Sequence, residues 1–161
     1  MFSIYFLLLA VLIFIINIFF SKKERNTHFI LETFLKWFFL IIVGLGCIFA
    51  FIGHTFHSDE TAKMIGWGTG SPFQFEVAMA NLAIGITGIF AFWFRKTYWL
   101  AASTVYAVFL LGAACVHIMQ IAENNNYSPL NSGFFLWFND ITLPIIIFIL
   151  VLWYLKLDKK K

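Results

Sequence analysis

Apolar residues in this chain fall in long unbroken runs, without the alternation of a half-buried strand or the narrow stripe of a surface helix. Crossing about 30 Å of hydrocarbon takes roughly 20 helical residues. Five runs meet that requirement: Phe2 to Phe20, Phe34 to Gly53, Phe73 to Phe94, Tyr98 to Ile121 and Phe134 to Leu155. The connections are short, and no low-complexity tract or Pro/Ser-rich linker divides them, so the pattern predicts a single all-α domain over residues 1–161. A β-barrel is excluded because the runs do not alternate. The first run has no basic region before it and no Ala-x-Ala-like site after it. Basic residues follow it instead, so it reads as a retained helix and not as a signal peptide.

Composition agrees with an integral membrane bundle of five transmembrane helices. Hydrophobic residues make up 61%, aromatic residues 20% and charged residues 12% of the chain, and the mean hydropathy is +0.88. Charge then sets the orientation. With the N-terminus outside, Lys22, Lys23, Arg25, Lys36, Arg95, Lys96, Lys156, Lys159, Lys160 and Lys161 are all cytoplasmic, and Lys63 alone is not. The asymmetry predicts five crossings of the cell inner (cytoplasmic) membrane, N-terminus out and C-terminus in. The same residues account for the net charge of +3 as anchors at a membrane surface, so no nucleic acid is implied.

The third run is the least ordinary. On a helix Gln74, Ala78, Asn81, Gly85 and Gly88 form one seam, and Glu76, Ala80, Ala83 and Thr87 a second. Both are small or polar, which lets neighbouring backbones approach closely in lipid. Ser71 and Pro72 read as an N-cap and a first helical residue. Just before them, Asp59 to Ile65 reads as a short amphipathic helix with Ala62, Met64 and Ile65 toward lipid.

Sorting the polar residues by depth brings several to one layer near the outer side. Glu76 and Asn81 lie in the upper third helix, His117 and Gln120 in the last outer turns of the fourth, and Asp140 inside the fifth. Pro144 removes the hydrogen bond that would reach the carbonyl of Asp140. Ionisable groups at such depth cost several kcal/mol unless paired, protonated or hydrated, and they default to functional roles. The layer therefore predicts an outward-facing site for a metal ion or a small polar ligand, in a binding or transport-related protein, built from Glu76, Asn81, His117, Gln120 and Asp140. As a metal site its donors are His54, His57, Glu76, His117 and Asp140, suited to a divalent transition metal. The competing reading is a set of polar pairs that fix helix register, with His54 and His57 sitting among headgroups.

Cys47 and Cys115 read first as small buried apolar residues, and as a disulfide only if the second and fourth helices touch. No haem, iron–sulfur or nucleotide signature appears, and no Ser or Cys nucleophile has an evident base, so the residues do not decide whether the chain is an enzyme. Two further roles stay open: a membrane redox subunit acting on quinone or thiols, and a structural subunit of a homo-oligomer or larger membrane complex.

The segments GHTF at Gly53, GSPFQFEVAMAN at Gly70 and LLGAACVHI at Leu110 resemble an uncharacterised family of small prokaryotic multi-pass membrane proteins. More distantly, the layout from Gly53 through LAIGITGIFAFWFRK is similar to the DoxX-like four-helix membrane families, which include quinone-linked and thiol-redox subunits. That likeness implies a four-helix bundle with the first helix added, and it carries over no catalytic residue.

Overall fold

The computed structural model describes residues 2–159, and over them the chain is all-helical. Six helices follow one another: α1 (Phe2–Phe20), α2 (Thr27–Phe56), α3 (Ser58–Ile65), α4 (Phe73–Phe90), α5 (Thr97–Asn124) and α6 (Phe135–Asp158). By length and composition α2, α4, α5 and α6 are long and apolar enough to cross a membrane, and α1 adds a shorter apolar stretch, Ile4–Phe20.

Helix α1 has the bounds of the apolar run that predicts it, and α2, α4, α5 and α6 each differ from theirs at one or both ends. The largest difference is at α2, which starts at Thr27 and not at Phe34. Asn26 explains it: its side-chain oxygen accepts from the Phe29 N–H at 3.0 Å, capping a polar first turn that hydropathy passes over. Leu31, Thr33 and Leu35 are then buried against the rest of the bundle. At the far end α2 runs past Gly53 to Phe56. Helix α4 stops at Phe90 and not at Phe94, with a turn leading to Lys96 at φ 59°. Helix α5 extends to Asn124 and α6 to Asp158, because polar residues continue both beyond the apolar stretch.

Two stretches are wound wider than an α-helix: Phe39–Leu45 within α2 and Phe135–Thr142 at the start of α6, both π-helical. The second ends just before Pro144, whose missing N–H cannot serve the carbonyl four residues back. Such turns concentrate at functional sites.

Helix α4 packs directly on α2, and its first seam is the contact. Gln74, Ala78, Asn81, Gly85 and Gly88 are all buried. A β-carbon on Gly88 would lie 2.5 Å from the Gly44 backbone nitrogen, and one on Gly85 would lie 3.0 Å from the Gly44 carbonyl oxygen. These glycines therefore set the interhelical distance. The second seam does not pack in the same way. Glu76 and Ala83 are exposed and Ala80 and Thr87 only half-buried, since α4 has its main neighbour on one side.

Below this contact the core is aromatic and aliphatic. Phe39, Trp99 and Tyr154 are buried together; Trp99 stacks on Phe39 at 5.8 Å and donates its indole N–H to the Ala91 carbonyl at 2.7 Å. Helix α3 forms as the amphipathic pattern predicts, but it faces the other way. Ala62 and Ile65 are buried and only Met64 is exposed, because α3 folds back against α2. Ser71 accepts from the Phe73 N–H at 3.3 Å, but α4 starts one residue later than the pattern predicts, with Pro72 at the N-cap position and Phe73 the first helical residue.

Charged residues collect at one end of the bundle. Arg95 pairs with Glu32, Lys96 with Asp158 at 3.0 Å, and His28 reaches Asp158 at 3.2 Å. This is the end that the count of positive residues assigns to the cytoplasm; Lys160 and Lys161, part of that count, lie outside the described residues.

Candidate functional site

At the opposite end, one buried polar cluster joins α5, α6 and the loop between them. His117 sits in the last turns of α5, Asp140 on the wide turn of α6, and Asn131 on the connecting loop; they are 6%, 1% and 0% exposed. The loop is folded back by its own polar side chains. Asn125 turns it at φ 50°, and the Asn126 side chain donates to the Ile65 carbonyl at 2.9 Å. Leu130 N–H bonds the Met64 carbonyl at 3.0 Å, which ties the loop to α3. Gly66 makes this closure possible: its φ is +83°, and a β-carbon there would lie 2.4 Å from the Asn126 side-chain oxygen.

Asn131 determines which nitrogen of His117 carries its proton. Its amide Nδ2 donates to the Asn126 carbonyl at 2.7 Å and faces the His117 carbonyl at 3.4 Å, so the other atom of the amide, Oδ1, is the acceptor. That oxygen is 2.6 Å from His117 Nδ1, which must therefore be the N–H. In the neutral ring Nε2 is left with a lone pair, and it points at Asp140 Oδ2, 3.7 Å away. Asp140 Oδ1 accepts from the Asn139 side chain at 2.8 Å, while Oδ2 is buried without a hydrogen-bond partner among the described residues.

The result is an acceptor facing an acceptor in a buried place. A carboxylate and an imidazole lone pair repel unless something positive or hydrogen-bond-donating lies between them. A proton satisfies the pair, and so does a small donor or cation. The ring of Trp67 stacks over His117 with centroids 6.5 Å apart and covers the site from the α3 side.

The remaining candidates fall elsewhere. His54 is hydrogen-bonded to Gln74 across the α2–α4 contact, and Gln74 Nε2 and Thr55 Oγ1 are buried there without partners among the described residues. His57 is exposed at the break between α2 and α3, and Glu76 is exposed in the first turn of α4. Asn81 donates to the Val77 carbonyl of its own helix at 2.9 Å, and Gln120 faces Asn124 at 3.4 Å. Of the residues picked from the sequence, then, the fold brings His117 and Asp140 together and keeps Glu76, His54 and His57 apart from them. Among the described residues no group of three or more His, Cys, Asp or Glu side chains is placed to hold a metal ion. Cys47 is buried, Cys115 is exposed and both thiols are free, so the chain carries no bond between them.

Asn131, Asn139 and Trp67 are the parts of the cluster that sequence reasoning does not select. The segment from Glu123 to Gly133 reads as a polar surface turn, and its only signal is the unusual density of Asn between two apolar helices.

No curated protein and no solved structure matches this chain. A family model does, across residues 1–160, a span that takes in both helices and the loop of the cluster, and by that match the protein belongs to the family of unknown function DUF6790.

Proposed function

We propose that this is a multi-pass membrane protein whose His117–Asp140 pair binds a small polar ligand that donates hydrogen bonds or carries positive charge. In this reading all five apolar helices cross the cytoplasmic membrane, with the N-terminus and the site on the outer side. The single observation that carries it is the buried Oδ2 of Asp140, without a partner among the described residues and facing the lone pair of His117 Nε2 at 3.7 Å. A purely structural pair would close that distance with a direct hydrogen bond, which needs about 2.7–3.2 Å. Two donors fall short of the three or four protein ligands usual for zinc, so the reading favours an organic cation or hydrogen-bond donor over a transition metal.

The test is thermal unfolding of the purified protein in mild detergent with defined probes: methylammonium, guanidinium at non-denaturing concentration, and zinc ion. A bound probe stabilises by about 2.7 kcal/mol at a hundred times its Kd. Methylammonium or guanidinium is expected to raise the melting temperature of the wild type and to leave Asp140→Asn unmoved. The Asn side chain would place its own N–H against Nε2 and satisfy it internally, so that variant keeps its fold. A wild type that responds to no probe, or an Asp140→Asn that responds equally, would sink the reading. Stoichiometric zinc in chelator-free preparations, lost in Asp140→Asn, would restore the metal version.

A further inference from the structure

A second polar cavity, of about 220 Å³, lies at the charged end of the bundle between α1, α2 and the α4–α5 turn. Lys23, Lys36, Arg95 and Glu32 line it, with Ser21 and Thr33. Three cations against one carboxylate leave two formal positive charges facing the same space. The single carboxylate is already engaged: Glu32 pairs with Arg95, which still has further N–H groups to donate. Neither lysine has an ion-pair partner among the described residues. Each ammonium is held over a ring instead, Lys36 at 4.8 Å from Trp37 and 5.1 Å from Phe92, and Lys23 at 5.9 Å from Phe29. Lys36 is half-buried, and an ammonium in that position gains most from an anion it can share with a neighbour. Ser21 accepts from the Lys23 N–H at 3.2 Å, which leaves its own proton to donate into the cavity.

The geometry points to a site for a phosphate oxyanion, held by Lys23, Lys36 and Arg95, as the headgroup of an acidic phospholipid or as free phosphate. The cavity is smaller than the roughly 300–1,000 Å³ that enclose whole small-molecule ligands, so it admits one compact group and not a whole nucleotide or cofactor. Basic pockets between helices near the cytoplasmic surface are where acidic headgroups bind. The site is separate from the His117–Asp140 cluster; it rests on the membrane-spanning orientation proposed above and not on the ligand of that pair.

Native mass spectrometry of the full chain, released from detergent into which phosphatidylglycerol or phosphatidylcholine has been titrated, tests it. Wild type is expected to retain phosphatidylglycerol in preference to phosphatidylcholine. Replacing Lys23→Gln and Lys36→Gln should weaken that retention about fivefold for each lysine removed. The Lys23→Arg, Lys36→Arg variant should keep it, which separates lost charge from lost fold, and circular dichroism confirms the helix content of each. Displacement of the retained lipid by inorganic phosphate assigns the site to the free anion as well; retention against inorganic phosphate assigns it to the headgroup. Equal retention of the two lipids, or undiminished preference in a folded Lys23→Gln, Lys36→Gln variant, overturns the proposal.

Discussion

Gly88→Ala should cost about 3 kcal/mol, the upper end of what overpacked cores lose, and Gly88→Leu should prevent the bundle from forming. The β-carbon would meet three backbone atoms: the Gly44 nitrogen at 2.5 Å, the Val43 carbonyl carbon at 2.8 Å and the Gly44 α-carbon at 2.9 Å. Side chains can rotate out of the way, but these atoms belong to the helix wall. Relief comes only by moving α4 off α2, which also loosens the buried contacts of Ala78 and Ile84 on the same helix. Gly112→Ala is the matched control. Nothing lies within 4 Å of a β-carbon there, so it should be neutral or slightly stabilising through helix propensity. Thermal unfolding of the three proteins in one detergent measures the difference, and equal melting temperatures for Gly88→Ala and the control would refute the close contact.

Asn131→Leu should cost about 3 kcal/mol and should also release the ring of His117. The side chain is fully buried and serves His117 Nδ1 and the Asn126 carbonyl through short hydrogen bonds. Leucine is near enough in size to fill the space but leaves both groups unsatisfied, at roughly 1–3 kcal/mol each. The loop from Asn125 to Gly133 would lose its tie to α5. Nitrogen chemical shifts of the labelled imidazole supply the more specific readout. Wild type should show one tautomer with the proton on Nδ1, and the variant a mixture. A ring that keeps its Nδ1 proton in Asn131→Leu would mean that something other than Asn131 sets it, and a wild type with the proton on Nε2 would remove the acceptor-against-acceptor geometry.

How much of this was legible beforehand depends on whether the signal was local. Five apolar stretches and the small seam from Gln74 to Gly88 follow from periodicity, and each corresponds to a helix or a buried face. The second seam failed because spacing along one helix cannot say how many neighbours the helix has. Depth, a coordinate that apolar runs and loop charges together supply, singles out His117 and Asp140. Depth says nothing about angle, however, and Glu76 lies near the end of its helix while pointing outward. Asn131 was out of reach for a different reason. A polar residue in a turn is normally solvated, and only the fold-back of the loop onto α3 makes this one wholly buried. The early start of α2 is hidden in the sequence because Asn26 and Thr27 follow a run of charges that reads as a loop.

The wide turn at Phe135–Thr142 has a consequence for how this chain tolerates changes of length. A π-helical stretch holds one residue more than the α-helix it interrupts, so removing a single residue from it restores regular winding without breaking α6. The faces on either side would keep most of their alignment, because the wide turn already absorbs the residue whose loss from a regular helix would rotate one side by about 100°. Taking out Ile141 would leave the following part of α6 seated in the core through Ile147, Val151 and Tyr154, while Asp140, inside the rewound turn, would shift against His117. In most transmembrane helices a one-residue deletion scrambles packing throughout. Here the change would be confined to the turn that carries Asp140, so length variation at this spot separates assembly of the bundle from the chemistry of the pair.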